Sequence, residues 1–129
     1  MEGSCNCKAV TFVTSENIKA ILNCHCQLCR KMNGSAFSTY VVVPTDEFSL
    51  VSGNVTRVQV SENASKSFCA SCGTPIYNEN PKYTGLTIIY LGALDNVDHL
   101  SPAVDTFCES QLEWIENMRN LNKLEKGFG

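Results

Sequence analysis

The sequence predicts a mainly β protein that forms a single domain over residues 1–129, and three observations support this prediction. Short runs rich in β-branched and aromatic residues recur about every 8–12 residues, between turn-forming residues such as glycine, proline and serine. Helical spacing of apolar residues occurs in one late segment alone. A chain of 129 residues can bury one core, and it contains no linker, internal repeat or low-complexity stretch.

The predicted elements follow from these runs in chain order. The strongest strand prediction is 36–43, which is dense in valine, tyrosine and phenylalanine and stops at Pro44. The pair Ser52-Gly53 predicts a hairpin between its two neighbouring strands. Apolar residues at three-residue steps predict a helix within 111–124. The predicted strands are 9–13, 18–22, 36–43, 48–51, 54–60 and 86–91.

Seven of the eight cysteines fall into three tight clusters. They are Cys5 and Cys7, then Cys24, Cys26 and Cys29, then Cys69 and Cys72. Thiolates two or three residues apart are too close for ordinary disulfides with one another, but they suit a tetrahedral metal such as zinc. The first and third clusters together make a closed four-thiolate site, which is typical of structural zinc. The second cluster supplies three thiolates, and three protein ligands with a vacant fourth position are typical of catalytic zinc.

Composition and charge exclude several classes of protein. The sequence contains no run of about 18 apolar residues, which a membrane helix would need. The N-terminal residues show no signal peptide. We therefore expect a cytoplasmic protein with reduced, metal-binding cysteines. The formal net charge is −3, and two thiolate-bound zinc ions would bring it to about −6. This acidic balance argues against a zinc ribbon that binds nucleic acid.

With these motifs, the chain resembles the glutathione-dependent formaldehyde-activating enzyme family, which also includes centromere protein V. The matching segments are GSCNC at 3–7, CHCQLCRK at 24–31, GSAF at 34–37 and FCASCGTPIY at 68–77. The resemblance implies a β-tent of short antiparallel sheets held by zinc, similar to methionine sulfoxide reductase B. It also implies that glutathione and formaldehyde condense to S-hydroxymethylglutathione. One departure is Lys8, which stands where the family usually has glycine and which we assign to a surface strand.

The resemblance implies a role for each cysteine cluster. It places Cys5, Cys7, Cys69 and Cys72 on a structural zinc, and Cys24, Cys26 and Cys29 on a catalytic zinc. Two interpretations of the second zinc stay open. In the first interpretation, the fourth coordination position of this zinc binds an incoming thiol. In the second, Cys108 or a water molecule completes a purely structural site. We expect Cys108 to be a small hydrophobe buried in a strand, because isolated cysteines are more often packed than ligating.

Several side chains near the clusters have a functional and a structural interpretation. His25 points away from its flanking cysteines in an extended segment, so we expect it to hydrogen-bond rather than bind the metal. Arg30 and Lys31 either bind the carboxylates of a glutathione-like thiol or are solvated surface charges. Ser35 and Thr74 either contact zinc-bound sulfurs or satisfy local backbone. The aromatic residues Phe37, Phe48, Tyr90 and Trp114 are expected to belong mainly to the core.

Together, the cysteine motifs and the family resemblance predict a zinc-dependent carbon–sulfur lyase or synthase that acts on the adduct of a small thiol and a small carbonyl. The alternative is a non-enzymatic, zinc-stabilised module that binds a protein partner. The fourth ligand of the second zinc distinguishes the two hypotheses. An exchangeable solvent or thiol ligand supports the enzyme, and a fourth protein ligand supports the module.

Overall fold

The computed structural model describes residues 1–128, so the last residue of the predicted domain, Gly129, lies outside the described part. Within it, ten strands and one α-helix alternate with short 3₁₀ segments. The strands are β1 (Glu2–Ser4), β2 (Thr11–Thr14), β3 (Ala20–Cys24), β4 (Ser38–Pro44), β5 (Phe48–Ser52), β6 (Val55–Gln59), β7 (Ser65–Cys69), β8 (Pro75–Glu79), β9 (Leu86–Tyr90) and β10 (Val104–Thr106). The helix α1 spans Gln27–Asn33.

The strands form two sheets. A three-stranded antiparallel sheet has the order β1-β2-β5, and a seven-stranded sheet has the order β10-β3-β4-β9-β8-β7-β6. All neighbours in the larger sheet are antiparallel except β10, which pairs with β3 in parallel. The mainly β prediction is confirmed.

Alternation along the central strands gives the larger sheet two different faces. Val41 and Val43 of β4 and Ile89 of β9 are fully buried and join Phe12 of the smaller sheet in the main core. The intervening residues point to the opposite face, because successive side chains of a strand alternate. That second face holds a separate cluster around Tyr40 and carries α1 at one end.

All six predicted strands exist, within one to two residues of their predicted bounds. The hairpin at Ser52-Gly53 is wrong, however. Gly53 does make a turn at φ +84°, but β5 pairs with β2 in the small sheet and β6 pairs with β7 in the large one. The turn therefore carries the chain from one sheet to the other, a choice that depends on partners distant in sequence.

The late helix is confirmed in position but not in type. Residues Glu113–Asn120 form a 3₁₀ segment whose residues are exposed or only partly buried. Trp114 is 48% exposed, so its assignment to the core is wrong. Cys108 is also exposed and opens the 3₁₀ segment Cys108–Ser110, so it is neither buried nor in a strand.

The α-helix was not predicted, because its seven residues are too few to show a helical repeat of apolar residues. Its sequence signals lie instead in the residues that cap its two ends. The Cys26 sulfur accepts a hydrogen bond from the Cys29 amide at the N-terminus, and Gly34 ends the helix in the left-handed region at φ +59°. Two of the cysteines of the second cluster thus begin the helix. No helix within residues 1–128 has the length and apolar character needed to cross a membrane.

Candidate metal centres and the adjoining cavity

The first and third cysteine clusters meet in space, as the spacing argument predicted. The sulfurs of Cys5, Cys7, Cys69 and Cys72 all lie within 4.8 Å of one another. The Cys5 and Cys7 sulfurs are 3.5 Å apart, and those of Cys7 and Cys69 are 3.8 Å apart. These separations exceed a disulfide bond by far and approach the distance of about 3.8 Å between sulfurs around one zinc ion. The group can therefore hold a metal ion.

This four-sulfur group joins the two sheets. Cys5 directly follows β1 of the small sheet, and Cys69 is the last residue of β7 in the large sheet. Backbone amides point at the sulfurs: Val10 N donates to Cys5, and the amides of residues 71 and 72 donate to Cys69 at 3.4 Å. Such bonds stabilise thiolate charge. A metal ion here would hold together chain segments that are 62 residues apart.

Thr74 contacts the same group, which agrees with the first of its two interpretations. Its hydroxyl lies 3.1 Å from the Cys72 sulfur and accepts from the Asn6 amide at 3.0 Å. The contact with Thr74 lowers the pKa of the Cys72 thiol to about 5. Ser35, in contrast, donates to the carbonyl of Phe37 and therefore satisfies local backbone.

The turn after each half of this group requires a left-handed residue. Gly73 follows Cys72 with φ +81°, and Lys8 follows Cys7 with φ +68°. The assignment of Lys8 to a surface strand is therefore wrong, because it closes a turn in which its amide donates to Cys5 O. A residue with a β-carbon in this region is strained by about 1–2 kcal/mol. Glycine would relieve that strain at position 8.

The second cluster comes together at one end of the large sheet. The sulfurs of Cys24, Cys26 and Cys29 lie within 4.8 Å of one another, and Cys29 donates to Cys24 at 3.4 Å. Cys24 ends β3, while Cys26 and Cys29 lie in the cap and first turn of α1. Among residues 1–128, the exposed Cys108 is not a member of this group. Three sulfurs can therefore hold a second metal ion.

A contact between two sulfurs and a nearby tyrosine hydroxyl influence the pKa values of the three-sulfur group. The Cys29 thiol lowers the pKa of Cys24, and the same contact raises the pKa of Cys29. The Tyr40 hydroxyl lies 3.1 Å from the Cys29 sulfur. Burial raises the pKa of Tyr40, so its hydroxyl keeps its proton and can donate to a thiolate.

His25 lies behind the cluster, and its hydrogen-bonding role is confirmed. Its side chain is 1% exposed and its Nε2 lies 2.8 Å from Asp105 Oδ1 in β10. The same carboxylate oxygen accepts from Asn23 at 3.0 Å, and these two partners lower the pKa of Asp105. The ring also packs on Phe37 at 5.0 Å between centroids. This network ties the cysteine-bearing turn to β10, and the His25 ring is not a member of the three-sulfur group.

A cavity of about 560 Å³ opens beside the three sulfurs. It lies on the second face of the large sheet, between the sheet and α1. Its polar end contains the three sulfurs together with Tyr40, Tyr90, Asn78, Asn33 and Lys66. The remaining wall is mostly apolar and includes Leu22, Leu28, Met32, Val42, Leu86 and Ile88. A volume of this size is typical of small-molecule sites.

Sequence reasoning missed several polar residues of this cavity. Lys66 is 7% exposed, and its ammonium donates to Met32 O at 2.7 Å and to Asn33 Oδ1 at 2.8 Å. Burial lowers the pKa of Lys66. Tyr90 donates to Asn78 Oδ1, and the Asn78 amide donates to Tyr40. The strands β7 and β8 that carry Lys66 and Asn78 were not predicted, because β7 is rich in serine, while β8 begins with proline and ends with Asn78 and Glu79.

Arg30 and Lys31 do not line this cavity. They line a separate hollow of about 440 Å³ with Gly34, Ser35 and Leu112. The Arg30 guanidinium donates to the carbonyls of His25 and Ser110, which fastens the 3₁₀ segment Cys108–Ser110 to α1. Carboxylate binding by Arg30 or Lys31 stays a prediction. In the cavity itself the cationic side chains are Lys19 and Lys66.

Sequence comparison places these sites in a known family. The sequence profile of the glutathione-dependent formaldehyde-activating enzyme family matches residues 1–110, which include both cysteine groups and the cavity. The chain belongs to this family. The late 3₁₀ segment with Trp114 lies beyond the matched residues.

Individual relatives are distant. A Halomonas elongata protein that carries the provisional name glutathione-dependent formaldehyde-activating enzyme is 25% identical over 127 residues, covering 90% of this chain and 80% of its own length. An uncharacterized lyase of Schizosaccharomyces pombe is 33% identical over 82 residues, which span 59% of this chain and 55% of that lyase. A solved structure of a Rhodobacter sphaeroides protein has a TM-score of 0.64 and 21% identity, and the match covers 82% of this chain and all of that one. This last likeness shows the fold alone.

Proposed function

We propose that this protein is a zinc enzyme that reversibly joins a small thiol to a small carbonyl compound, a reaction of the carbon–sulfur lyase class. The family name suggests glutathione and formaldehyde as one such pair. The observation that carries the proposal is the position of the Cys24, Cys26 and Cys29 sulfurs, which lie together at the polar end of a cavity large enough for a substrate.

Zinc fits both cysteine groups by donor chemistry, because soft thiolates with tetrahedral spacing favour it. Four sulfurs around the first ion would leave no position for substrate, so we assign it a structural role. At Cys24, Cys26 and Cys29, a bound zinc would lower the pKa of a thiol that takes its fourth position. The fit rests on sulfur separations of 3.4–3.8 Å in the two groups.

The chain's own residues would hold the reacting groups and balance their charge. The thiol sulfur bonds to the carbonyl carbon, the carbonyl π electrons pass to its oxygen, and the thiol proton ends on that oxygen, so no oxidant is needed. The Tyr40 hydroxyl lies 3.1 Å from the Cys29 sulfur, where it can donate to a thiolate and limit the charge on the cluster. Lys66 uses two of its three N–H groups on carbonyl oxygens of α1. Its positive charge in the same cavity favours an anionic sulfur or oxygen.

The state of the cysteines also bears on the cellular compartment in which the enzyme would work. All eight cysteines are free thiols in the structure, and each of the three clusters has at least one exposed or half-buried thiol that would oxidise readily outside a reducing environment. A reducing cytoplasm is therefore the compartment that we propose.

The reaction is tested by exchange spectroscopy. Formaldehyde and glutathione combine without a catalyst, so the rate of exchange between free and adduct ¹³C-formaldehyde is the quantity to measure by NMR. We expect the wild-type protein to accelerate exchange and Cys26→Ser to lose the acceleration while keeping the wild-type circular dichroism. Cys108→Ser is the matched control and should retain full activity, because Cys108 lies outside both groups. Equal exchange rates with wild-type protein, Cys26→Ser and buffer would refute this activity for the pair.

One observation favours the second candidate, a non-enzymatic protein-interaction module. The segment beyond the family match exposes large apolar side chains, namely Trp114, Met118, Leu121, Leu124 and Phe128. Exposed apolar side chains mark an interaction surface where they form a contiguous patch. Removing residues 111–129 should leave catalysed exchange intact if the enzyme proposal is correct. The module would be favoured if neither the full-length nor the truncated protein catalysed exchange and the truncated protein alone failed to capture a partner from cell extract.

A further inference from the structure

The apolar wall of the cavity is built from the pleat of the large sheet. Leu22 on β3, Val42 on β4 and Ile88 on β9 all point to the same face, since Val42 pairs with Ile88 and Leu22 pairs with Tyr40 in register. Their sequence neighbours point into the main core instead. Both faces of these central strands are therefore apolar, but only one of them is covered by the second sheet.

Formaldehyde and the charged ends of glutathione do not account for this wall. Formaldehyde has two heavy atoms and would fill a small part of a 560 Å³ cavity. Glutathione is large enough, but its carboxylates and ammonium would lose water against Leu22, Val42 and Ile88 without gaining partners. The charged side chains of the lining are Lys19, Lys66 and Glu79. Lys66 already donates to two oxygens of α1 and Glu79 pairs with Arg57, so Lys19 is the side chain that could pair with one carboxylate. The chemistry of the wall suits an uncharged hydrocarbon group.

The mouth of the cavity carries a strained aromatic residue. Phe107 lines the cavity, is 59% exposed and has φ +56°, a left-handed conformation that is costly for a bulky side chain. It directly follows β10, whose Thr106 also lines the cavity. Tyr83 is a second aromatic residue of the lining and is 56% exposed. Strain of this kind persists where the surroundings hold a residue in place, often beside a ligand.

We propose that the cavity binds a thiol adduct whose carbonyl component carries an aliphatic or aromatic group, so that the substrate is an apolar aldehyde larger than formaldehyde. The inference rests on the proposed function, because the reacting sulfur lies at the three-cysteine end while the apolar group packs on Leu22, Val42 and Ile88. Phe107 and Tyr83 cover the apolar group at the mouth.

The test uses alkanethiols as stable probes of such an adduct, with two separate readouts. Cobalt bound at the three-cysteine group reports sulfur ligation in its visible spectrum, and the Ile88 and Val42 methyl resonances of the zinc-loaded protein report occupation of the cavity. From ethanethiol to butanethiol to hexanethiol, we expect the apparent Kd to fall about two- to four-fold per added methylene. Glutathione should bind no more tightly than ethanethiol.

Two variants and a control locate the effect. Ile88→Asn should flatten the dependence on chain length. Ala20→Leu, which narrows the cavity without introducing a polar group, should weaken hexanethiol several-fold and leave ethanethiol unchanged. Leu112→Asn alters the separate hollow beside Arg30 and should change neither.

The possible failures are distinguishable. A chain-length slope of zero, or glutathione as the tightest ligand with a responding cobalt spectrum, would overturn the apolar substrate and leave thiol ligation intact. Shifted methyl resonances with a silent cobalt spectrum would support the apolar cavity and reject the proposed function. Methyl resonances that broaden with protein concentration before any probe is added would assign this face to a second copy of the chain and overturn the proposal.

Discussion

The two cysteine groups use the same ligand chemistry and differ in what they connect. The four-sulfur group spans the two sheets, from the end of β1 to the end of β7, with amides of residues 10, 71 and 72 directed at its sulfurs. The three-sulfur group lies within one sheet, where β3 leads into α1, and it opens on a cavity. The number of sulfurs is therefore one of three differences between the proposed structural and reactive centres. The elements that the sulfurs join, and the space beside them, are the other two.

The largest expected difference between the groups is in folding. Cys69→Ser should abolish cooperative unfolding, because a metal that joins the two sheets contributes binding free energy comparable with the whole stability of a small domain, about 5–15 kcal/mol. Cys26→Ser should retain a cooperative transition, since it loosens only the start of α1. Thermal melts followed by circular dichroism measure both variants. A native-like midpoint for Cys69→Ser would show that the four-sulfur group does not hold the fold.

A smaller effect should be confined to the three-sulfur group. Asp105 accepts from His25 and Asn23 and so orients the turn that carries Cys24 and Cys26. Asp105→Ala should lower the metal affinity of this group about ten-fold or more and leave the four-sulfur group unchanged. Asp105→Asn keeps an acceptor oxygen and should stay near the wild-type affinity. Titration with a chromophoric chelator resolves the two metal equivalents.

Parallel losses from both equivalents of the Asp105→Ala variant would contradict this assignment. They would indicate that the network supports the fold as a whole rather than the sulfurs of one group.

The smallest expected effect compares the two halves of the four-sulfur group. Lys8→Gly should stabilise the protein by about 0.5–1 kcal/mol, because relief of left-handed strain exceeds the entropy cost of glycine. Gly73→Ala is the matched control at the corresponding turn and should destabilise by about 1 kcal/mol, since its φ is +81° and its surroundings leave room for a methyl group. Urea unfolding midpoints measure both. A destabilised Lys8→Gly protein would mean that the Lys8 side chain, which donates to Ser4, outweighs the strain.

Prediction from sequence succeeded where the determinants are local. The strand at residues 36–43 follows from its own β-branched residues, and the grouping within each cysteine cluster follows from spacing, since two thiols that close can reach one metal. The union of the first and third clusters, 62 residues apart, was predicted from the ligand count and the family resemblance. Prediction from sequence failed where the determinants are partners distant in sequence. The Ser52-Gly53 pair predicts a hairpin, but the two strands that flank it, β5 and β6, pair in different sheets. Strand β7 went unrecognised because its buried Lys66 is satisfied by α1, 33 residues away.

The sequence by itself determined the family, the mainly β class and the two sets of sulfurs, because these depend on composition and on spacing along the chain. Tertiary structure alone decided that one set joins two sheets while the other opens on a cavity. It also placed Arg30 and Lys31 outside that cavity and Lys66 inside it. The physical reason is that alternation assigns each side chain to a face of its strand, but only strand pairing decides which faces meet and which one stays open to a ligand.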